Sequence, residues 1–475
     1  MSVLDGAIVL VAVGLALAAA ATRRVGARMV SGMSAMLLAA CAFQLWREGF
    51  YWQFLPVYSL LAGLLALGWR RGRPAPSPLP PRALAWLGRG GVAGLALAAL
   101  LAWSFLPVPE LPAPHGPYAV GTQVFRWVDS ERAEDATADP DDRRSVVVQA
   151  WYPAAAGEGA AGPSRYIDGL ERLPDFVSLI PGLVMRRYDR IDTHARLDAP
   201  VAAQRERWPV VLFSPGYGAS RAFYSGLLAD LASRGFVVLA LDHAYEAPVV
   251  ELADGRLATP VVRFLPDDPD RLRYMGARQA VRAADLRFVA GRVGEPGAFG
   301  PRLSQRLDPR RIGAIGHSFG GASAVEAAME DARIRAVANI DGTLYGHAAT
   351  GALPVPFLLL ESDHRETRHS RHYLDGNLAL VRHARAGGYR YRIAAANHYG
   401  FTDVPLYLSA PARFAAAVLI GGSRGPARTQ AAANDVLAAF LAGLSMDAPG
   451  DGVAAAAARH AGVSGGPVGM RAGGP

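Results

Sequence analysis

The sequence contains no lysine, since all 49 residues counted together as lysine and arginine are arginine. This absence excludes every chemistry that needs an ε-amine, including a Schiff-base cofactor, a serine–lysine nucleophile and a P-loop lysine. The single cysteine, Cys41, likewise excludes a disulfide framework and a metal site built from several cysteines. The arginines are scattered and often lie near Asp or Glu, so the net charge of +8 does not predict a nucleic-acid partner.

Charged residues are also scarce, at 19% of the chain against 51% hydrophobic residues. They are absent from four early stretches of 17 to 21 residues, at positions 6–22, 29–46, 49–69 and 90–109. A membrane-spanning helix needs about 20 predominantly apolar residues. We therefore expect four transmembrane helices here, rather than buried helices of a soluble protein. The first stretch has no arginine before it, so it lacks the positive region of a cleaved signal peptide.

The arginines between these stretches predict their orientation. Three arginines follow the first stretch and five follow the third, whereas only Arg47 follows the second. Positively charged loops favour the cytoplasmic side, so the N-terminus and everything beyond residue 109 should lie outside the cytoplasm. We expect an integral membrane protein, in a bacterial inner membrane, whose large soluble domain is extracytoplasmic. Because no ionisable residue lies well inside a stretch, the helices are interpreted as an anchor and not as a transport path.

The remainder of the chain divides into a linker (110–117), a domain (118–445) and an Ala/Gly-rich tail (446–475) that we expect to be flexible. In the domain, β-branched runs alternate with amphipathic segments, and several runs are apolar throughout, as buried parallel strands are. The predicted strands are 146–152, 210–213, 236–241, 312–315, 337–340, 357–360 and 389–396. This alternation predicts an α/β fold with a mainly parallel sheet, whose ligands bind at the carboxyl ends of the strands. Residues 154–203 fit the pattern poorly and are interpreted as an insertion over the site.

The motif Gly316-His317-Ser318-Phe319-Gly320 lies between a predicted strand and a predicted helix. This is the setting of the G-x-S-x-G nucleophile elbow, which presents its serine on a strained turn. Ser318 is therefore the predicted nucleophile, and Gly316 and Gly320 leave space for the turn. The N–H of Phe319 opens the following helix, where a developing oxyanion is favoured.

The remaining parts of such a site are expected after other strands. The Gly-rich turn after strand 210–213 predicts Tyr217 as the second oxyanion donor. This fold orders its triad Ser, acid, His, and His398 follows the last predicted strand, so His398 is the predicted base. Two acids, Asp341 and Asp363, each follow a suitable strand, and spacing does not decide between them. A loose histidine cluster (His364, His369, His372, His383) is interpreted as a solvated helix face and not as a metal site.

The segments 213–218, 315–321, 339–346 and 398–403 together resemble the platelet-activating-factor acetylhydrolases of the secreted and type II kind. The resemblance covers roughly residues 116–403 and leaves the four apolar stretches outside. It implies an α/β-hydrolase fold, Asp341 as the acid, and the backbone N–H groups of Tyr217 and Phe319 as oxyanion donors.

The residues and the resemblance together predict a membrane-anchored serine carboxylic-ester hydrolase that acts on short-acyl or oxidised phospholipid-like esters. Such a mechanism needs no cofactor and no metal. The expected partners are an ester substrate and the membrane, with no nucleic acid, and the sequence leaves the oligomeric state open. The alternatives are an acyltransferase or peptidase that uses the same triad, and a silent domain that only binds ligand.

Overall fold

The computed structural model describes residues 3–22, 25–50, 52–72, 82–105, 108–157, 162–168, 172–177, 180–185, 188–261, 269–408, 422–445 and 452–469. The chain divides into two compact units. The first consists of Met1–Pro109 with the short segments Leu183–Arg187 and Tyr407–Ala412. The second consists of Glu110–Gly182, Tyr188–Leu406 and Arg413–Pro475.

The first unit is helical. Its long helices are α1 (Val3–Ala21), α2 (Ala27–Glu48), α3 (Leu55–Arg71) and α4 (Arg82–Phe105). Small and aliphatic side chains, including Ala12, Ala16, Leu60, Leu64 and Ala99, are buried between them. Helices can pack closely in this way because alanines on facing helices leave little side chain between the backbones.

Three segments among the described residues are long and apolar enough to cross a membrane: Leu4–Ala21, Ala27–Arg47 and Trp52–Arg70. The apolar segment of α4 that can be assessed, Gly90–Ala102, is shorter. Each of the four predicted stretches thus overlaps a helix, and three of them reach the length of a span. That these helices cross a membrane stays a prediction for all four, and the stretch 90–109 includes residues 106–107, which lie outside the described residues.

The second unit is built on a ten-stranded sheet in the order β14-β13-β12-β11-β10-β6-β7-β2-β1-β5. The strands from β13 to β7 in this order are parallel to their neighbours, and antiparallel pairs join β7 to β2, β2 to β1 and β13 to β14. Two small two-stranded sheets, β3–β4 and β8–β9, are separate from it. The strands are β1 (Ala119–Ala133), β2 (Arg143–Ala154), β3 (Phe176–Val177), β4 (Ile180–Pro181), β5 (Ala195–Leu197), β6 (Trp208–Ser214), β7 (Val237–His243), β8 (Val250–Glu251), β9 (Leu257–Ala258), β10 (Leu307–His317), β11 (Ile334–Ile340), β12 (Phe357–Glu361), β13 (Gly388–Ile393) and β14 (Val463–Val468).

Helices pack on this sheet in two groups, α7 with α9 and α6 with α13. The first group shares a core with the central strands, in which Leu286, Val289, Val325, Leu212 and Ala314 are fully buried. The remaining helices are α5 (Gly182–Met185), α6 (Ser225–Ser233), α7 (Arg271–Val293), α8 (Gly300–Leu303), α9 (Phe319–Glu330), α10 (Gly346–Thr350), α11 (His364–Thr367), α12 (Arg371–His383), α13 (Pro426–Ala442) and α14 (Gly452–Ala458). The predicted α/β fold with a mainly parallel sheet is confirmed.

One sequence-based expectation is wrong in part. The tail, expected to be flexible, contains α14 and β14, and β14 pairs with β13 from Val463↔Ile393 to Val468↔Gly388. An edge strand is held by backbone hydrogen bonds, which a Gly-rich segment supplies as well as any other. The poorly fitting region 154–203 holds the short elements β3, β4, α5 and β5 and a 3-10 helix, Tyr188–Arg190, among its described residues.

Candidate active site

Ser318 lies on the sharp turn between β10 and α9. Its backbone has φ 56° and ψ −127°, a conformation that costs a non-glycine residue about 1–3 kcal/mol. The turn is held in place because the N–H of Ser318 donates to the carbonyl of Ile340, at 2.8 Å, on the neighbouring strand β11. The side chain is half-buried, so a reactant can reach it. This is the geometry that the sequence motif predicts.

The two glycines of the motif are required by space. A Cβ on Gly316 would lie 2.3 Å from the carbonyl carbon of Gly320, and a Cβ on Gly320 would lie 2.0 Å from the carbonyl oxygen of Ser214. Both positions have ordinary negative-φ backbone, so the constraint is the close approach of chain segments and not a left-handed conformation. The turn therefore packs directly against the end of β6.

Asp341 follows β11 and lies beside His398. Its Oδ2 is 2.7 Å from Nδ1 of His398, and its side chain is fully buried. Ser362 adds two donors, its N–H to Oδ1 and its Oγ to Oδ2, each at 2.8 Å. Burial alone would raise the pKa of Asp341, but hydrogen bonds from His369 and His398 outweigh it and hold the pKa well below the ordinary value. The carboxyl is therefore ionised and accepts a hydrogen bond from each histidine.

Asp363, the competing acid, has other partners. Its Oδ1 accepts the N–H of Arg365 at 3.0 Å, which caps α11, and its Oδ2 accepts the N–H of Ala395 at 2.9 Å. Both carboxylate oxygens thus bind backbone groups, and one of them ties down the loop that leads to His398. The structure brings Asp341 and not Asp363 to the histidine.

His398 begins a short 3-10 helix, His398–Phe401, just beyond β13. Asn397 fixes this turn, because its Oδ1 accepts the N–H groups of Tyr399 at 3.0 Å and Gly400 at 3.2 Å. Since an ionised Asp341 can only accept, the proton of the neutral imidazole lies on Nδ1 and Nε2 is left as the basic nitrogen. The side chain is 27% exposed, so Nε2 serves a site that substrate can enter.

The two predicted oxyanion residues lie next to each other. The rings of Tyr217 and Phe319 meet edge to face, with centroids 5.6 Å apart. Phe319 is the first residue of α9, so its N–H has no acceptor within the helix. The loop that carries Tyr217 runs close to the serine, because a Cβ on Gly216 would lie 3.5 Å from Cβ of Ser318.

A buried arginine beneath these residues was not predicted. Arg282, on α7, is fully buried and donates to the carbonyls of Pro215 at 2.7 Å and Gly216 at 3.4 Å. Its guanidinium also lies 4.9 Å from the ring centroid of Phe319 and is balanced by Glu246. Because Arg282 binds two carbonyls of the loop that carries Tyr217, it fixes the backbone of that loop from its buried side. The sequence does indicate that this arginine is buried, because Arg282 has the same helical spacing as the apolar residues on the buried face of α7.

His317 also has a role that the motif alone does not show. It is buried, its Nδ1 is 2.8 Å from the hydroxyl of Tyr224, and its Nε2 is 3.0 Å from the carbonyl of His398. The same hydroxyl accepts the N–H of Gly216 at 3.0 Å. Burial lowers the pKa of His317 to about 3, so the ring is neutral. A single hydrogen-bonded chain therefore connects the Gly216 loop to the backbone of His398.

For His369 the expectation of a solvated helix face is wrong. Its side chain is only 5% exposed, and its Nε2 is 2.9 Å from Oδ1 of Asp341. His364 and His383 are exposed as expected, and His372 is half-buried. Among the residues that the structure describes, no group of three or more His, Cys, Asp or Glu side chains is arranged to hold a metal ion.

Comparisons with known proteins identify relatives of the chain. The family described as platelet-activating factor acetylhydrolase, isoform II, matches residues 105–252. A probable 1-alkyl-2-acetylglycerophosphocholine esterase from Arthroderma benhamiae is 27% identical over 66% of this chain and 80% of its own. The platelet-activating factor acetylhydrolase of Cavia porcellus is 25% identical over 54% of this chain, and the chain spans 61% of that protein. The solved structure of a ferulic acid esterase from Streptomyces cinnamoneus is 31% identical, with a TM-score of 0.62, and the match covers 75% of this chain and 99% of that one.

The fold and these relatives define a carboxylic-ester hydrolase of the α/β-hydrolase class. Within that class, the family match over residues 105–252 and the curated relatives support the platelet-activating-factor acetylhydrolase family.

Proposed function

We propose that the protein is a serine esterase in which Ser318 is the nucleophile, His398 the general base and Asp341 the acid of a catalytic triad. The observation that carries this proposal is the 2.7 Å contact between Nδ1 of His398 and Oδ2 of Asp341, at the sheet edge where Ser318 lies on its strained turn. Nucleophile, base and acid follow β10, β13 and β11, whose carboxyl ends meet at one edge of the sheet.

The reaction then proceeds in two halves. Nε2 of His398 takes the proton of Ser318 as Oγ attacks the ester carbonyl carbon, and the N–H groups of Tyr217 and Phe319 stabilise the oxyanion. The intermediate collapses, the bond to the alkoxy oxygen breaks, and His398 returns the proton to the departing alcohol. Water then hydrolyses the acyl-enzyme by the same route, and Asp341 stabilises the imidazolium each time it forms.

A fluorophosphonate probe tests this assignment directly. We expect the purified protein to be labelled covalently at Ser318, with labelling lost in Ser318→Ala and retained in Ser323→Ala, a buried serine on α9 that donates to the carbonyl of Phe319. Labelling of a folded Ser318→Ala protein at the parent rate would refute the assignment.

We propose further that the substrate is a phospholipid-like ester with a short or polar acyl group. The relatives named acetylhydrolase and 1-alkyl-2-acetylglycerophosphocholine esterase support this class. We expect the apolar segment 176–184 to offer an approach for lipid. The structure describes residues 176–177 and 180–184 of this segment. Acetyl and butyryl esters should be hydrolysed much faster than palmitoyl esters, and a clear preference for the long chain would contradict the proposal.

An aromatic acyl group is the second candidate, because aromatic rings surround the site. Tyr217 is 38% and Tyr399 50% exposed, and the ring of Phe319 contacts both Tyr217 and Tyr345. The related Streptomyces protein is a ferulic acid esterase. Competition between an acetyl ester and methyl ferulate separates the two: preference for the ferulate in kcat/KM would favour this candidate over the short acyl chain.

We also propose that the N-terminal helices anchor the esterase in a membrane, with the catalytic domain outside the cytoplasm. Three segments with the length and hydropathy of a span support the anchor, and the arginine-rich loops support the orientation. A reporter that is active only outside the cytoplasm should be active when fused after Leu444 and silent when fused near residue 78. The reverse pattern would contradict the orientation, and an odd number of crossings would produce it.

A further inference from the structure

The buried carboxylate of Asp341 contacts two imidazoles, one on each oxygen. His398 contacts Oδ2 at 2.7 Å through Nδ1, and His369 contacts Oδ1 at 2.9 Å through Nε2. The second histidine comes from the segment between α11 and α12, so its position is set independently of the loop that holds the first. A carboxylate that serves two imidazoles divides its negative charge between them.

His369 is held rigidly in this contact. Its ring stacks on that of Tyr373, with centroids 4.0 Å apart and planes inclined by 11°. Its side chain is 5% exposed, so water does not replace the contact with Asp341. Because an ionised carboxylate can only accept, Nε2 of His369 carries a hydrogen and donates the hydrogen bond to Oδ1.

We propose that His369 is a positioning residue that shares the Asp341 carboxylate with His398, and thereby sets the pH range over which His398 acts as a base. The inference rests on the triad proposed above, because it needs His398 to be that base. A hydrogen bond from His369 withdraws charge from the carboxylate, so the imidazolium of His398 is stabilised less than it would be by an unshared partner. Its loss should therefore favour the protonated, inactive form of His398.

Other polar and titratable groups surround His369 and define its setting. His364 stacks on the outer side of the His369 ring with centroids 5.7 Å apart, and Ser362 Oγ lies 3.2 Å from Nε2 of His369.

The hydroxyl of Tyr373 is 3.4 Å from Oδ1 of Asp341 and 3.2 Å from Oε1 of Glu361. Burial, with the charges of Asp341 and Glu361, raises the pKa of Tyr373 well above its ordinary value, so it remains a neutral phenol. Arg390 neutralises Glu361 through a contact of 2.6 Å. His364 is exposed to solvent. On the other side of the pair, His317 faces His398 with ring centroids 4.5 Å apart, and it stays neutral because burial lowers its pKa to about 3.

The test is the pH dependence of kcat/KM for a short-chain aryl ester, measured between about pH 5 and pH 9. In His369→Leu the donor is lost, and we expect the acidic limb to move to higher pH by about half a unit or more. In His369→Gln the amide nitrogen stands three bonds from Cβ, as Nε2 of histidine does, so the limb should stay near that of the parent. His383→Gln, a change at an exposed histidine, is the matched control and should leave the profile unchanged.

An acidic limb that is unmoved or shifted to lower pH in a folded His369→Leu would overturn the proposal, as would a Gln variant that behaves like the Leu variant. If the Leu variant does not fold, His369→Asn replaces it, because its amide is one carbon too short to reach Oδ1. A purely structural role would lower the melting temperature without moving the limb. Fluorophosphonate labelling of Ser318 distinguishes failure of the proposed triad from failure of the role proposed for His369. If the parent protein is not labelled, the triad is refuted. If the parent is labelled but the acidic limb does not move, only the role of His369 is refuted.

Discussion

Two sets of serine, histidine and aspartate lie close together in this domain, and they differ in access to solvent. In the buried set, Ser214 Oγ is 2.8 Å from Nε2 of His243, whose Nδ1 is 2.8 Å from Oδ2 of Asp285. All three residues are at most 1% exposed. In the other set, His398 is 27% exposed and Ser318 is half-buried. A serine, a histidine and an aspartate in mutual contact therefore do not by themselves define a catalytic site.

The backbone separates the two serines as well. Ser318 has a positive φ on a turn, whereas Ser214 is the last residue of the strand β6, and its carbonyl packs against Gly320. Asp285 also forms ion pairs with two arginines, at 2.6 Å to Arg144 and 2.9 Å to Arg132. We interpret the buried set as a structural element that holds the end of β6, and with it the loop of Tyr217, in place.

The strongest test of the difference between the two sets is to remove each serine hydroxyl in turn. Ser318→Ala should lower turnover of a short-chain aryl ester by about 10⁴–10⁶-fold, because the nucleophile is lost. Ser214→Ala should keep turnover within about tenfold of the parent, since it removes one net hydrogen bond of about 1 kcal/mol. Both variants need a thermal melt beside the assay. Equal losses of turnover in two folded proteins would mean that the buried set takes part in the chemistry.

The two acids that follow β11 and β12 give the next largest difference. Asp341→Asn should lower turnover by about 10⁴-fold, because an amide disfavours the tautomer of His398 that has its basic nitrogen on Nε2. Asp363→Asn should lose little turnover, since its oxygens accept from the backbone of Arg365 and Ala395 and an amide oxygen still accepts one of those bonds. Steady-state kinetics on the two proteins side by side decide the matter. A reversed order would assign the acid to the later strand.

The acid of the buried set should affect stability instead. Asp285→Asn removes a charge that Arg144 and Arg132 both need, and breaking a buried ion pair costs about 3–5 kcal/mol of unfolding free energy. The matched control is Asp254→Asn, because Asp254 pairs with Arg256 at the surface and exposed pairs contribute little. Denaturant melts of both proteins in detergent measure the difference. A parent-like midpoint for Asp285→Asn would contradict the structural interpretation.

What the sequence predicts well in this protein is local. The elbow needs only the order strand, Gly316, Ser318, Gly320 and helix, and the central strands are apolar runs whose burial follows from composition. The family resemblance, and not spacing, favoured Asp341 over Asp363. The structure supplies the reason, since the carboxylate of Asp363 is occupied by backbone N–H groups.

What the sequence does not predict depends on contacts between distant segments. His369 lies in an arginine-rich stretch, which indicates a solvent-exposed surface. The packing of α12 against the loop of Asp341 buries it. The strand β14 has two glycines and a proline in six residues, which disfavour a strand, and its partner β13 supplies the pairing. Arg282 did leave a signal, because it keeps step with Leu286 on the buried face of α7.

The last expected effect concerns how stability varies with pH, and it involves Asp403, a buried carboxyl that belongs to neither set. Its Oδ2 is 3.1 Å from the hydroxyl of Tyr166 and 3.4 Å from the N–H of Gly226, and burial raises its pKa to about 8. In the unfolded chain an aspartate titrates near pKa 3.9. Between about pH 4 and pH 8 the folded protein therefore binds more protons than the unfolded one, and the free energy of unfolding falls as pH rises. Asp403→Asn cannot ionise and escapes this loss.

The melting temperature of Asp403→Asn relative to the parent should accordingly rise from about pH 4 to pH 8 and then level off, since the parent's loss is complete above its folded pKa. Asp435→Asn is the control of opposite sign. Burial raises the pKa of Asp435, but hydrogen bonds from His460 and Arg234 outweigh this and lower it, so this carboxylate stabilises the fold above about pH 4. That variant should therefore melt below the parent throughout the range. A melting difference for Asp403→Asn that stays constant with pH would show that the Asp403 carboxyl ionises in the folded protein as it does in the unfolded chain.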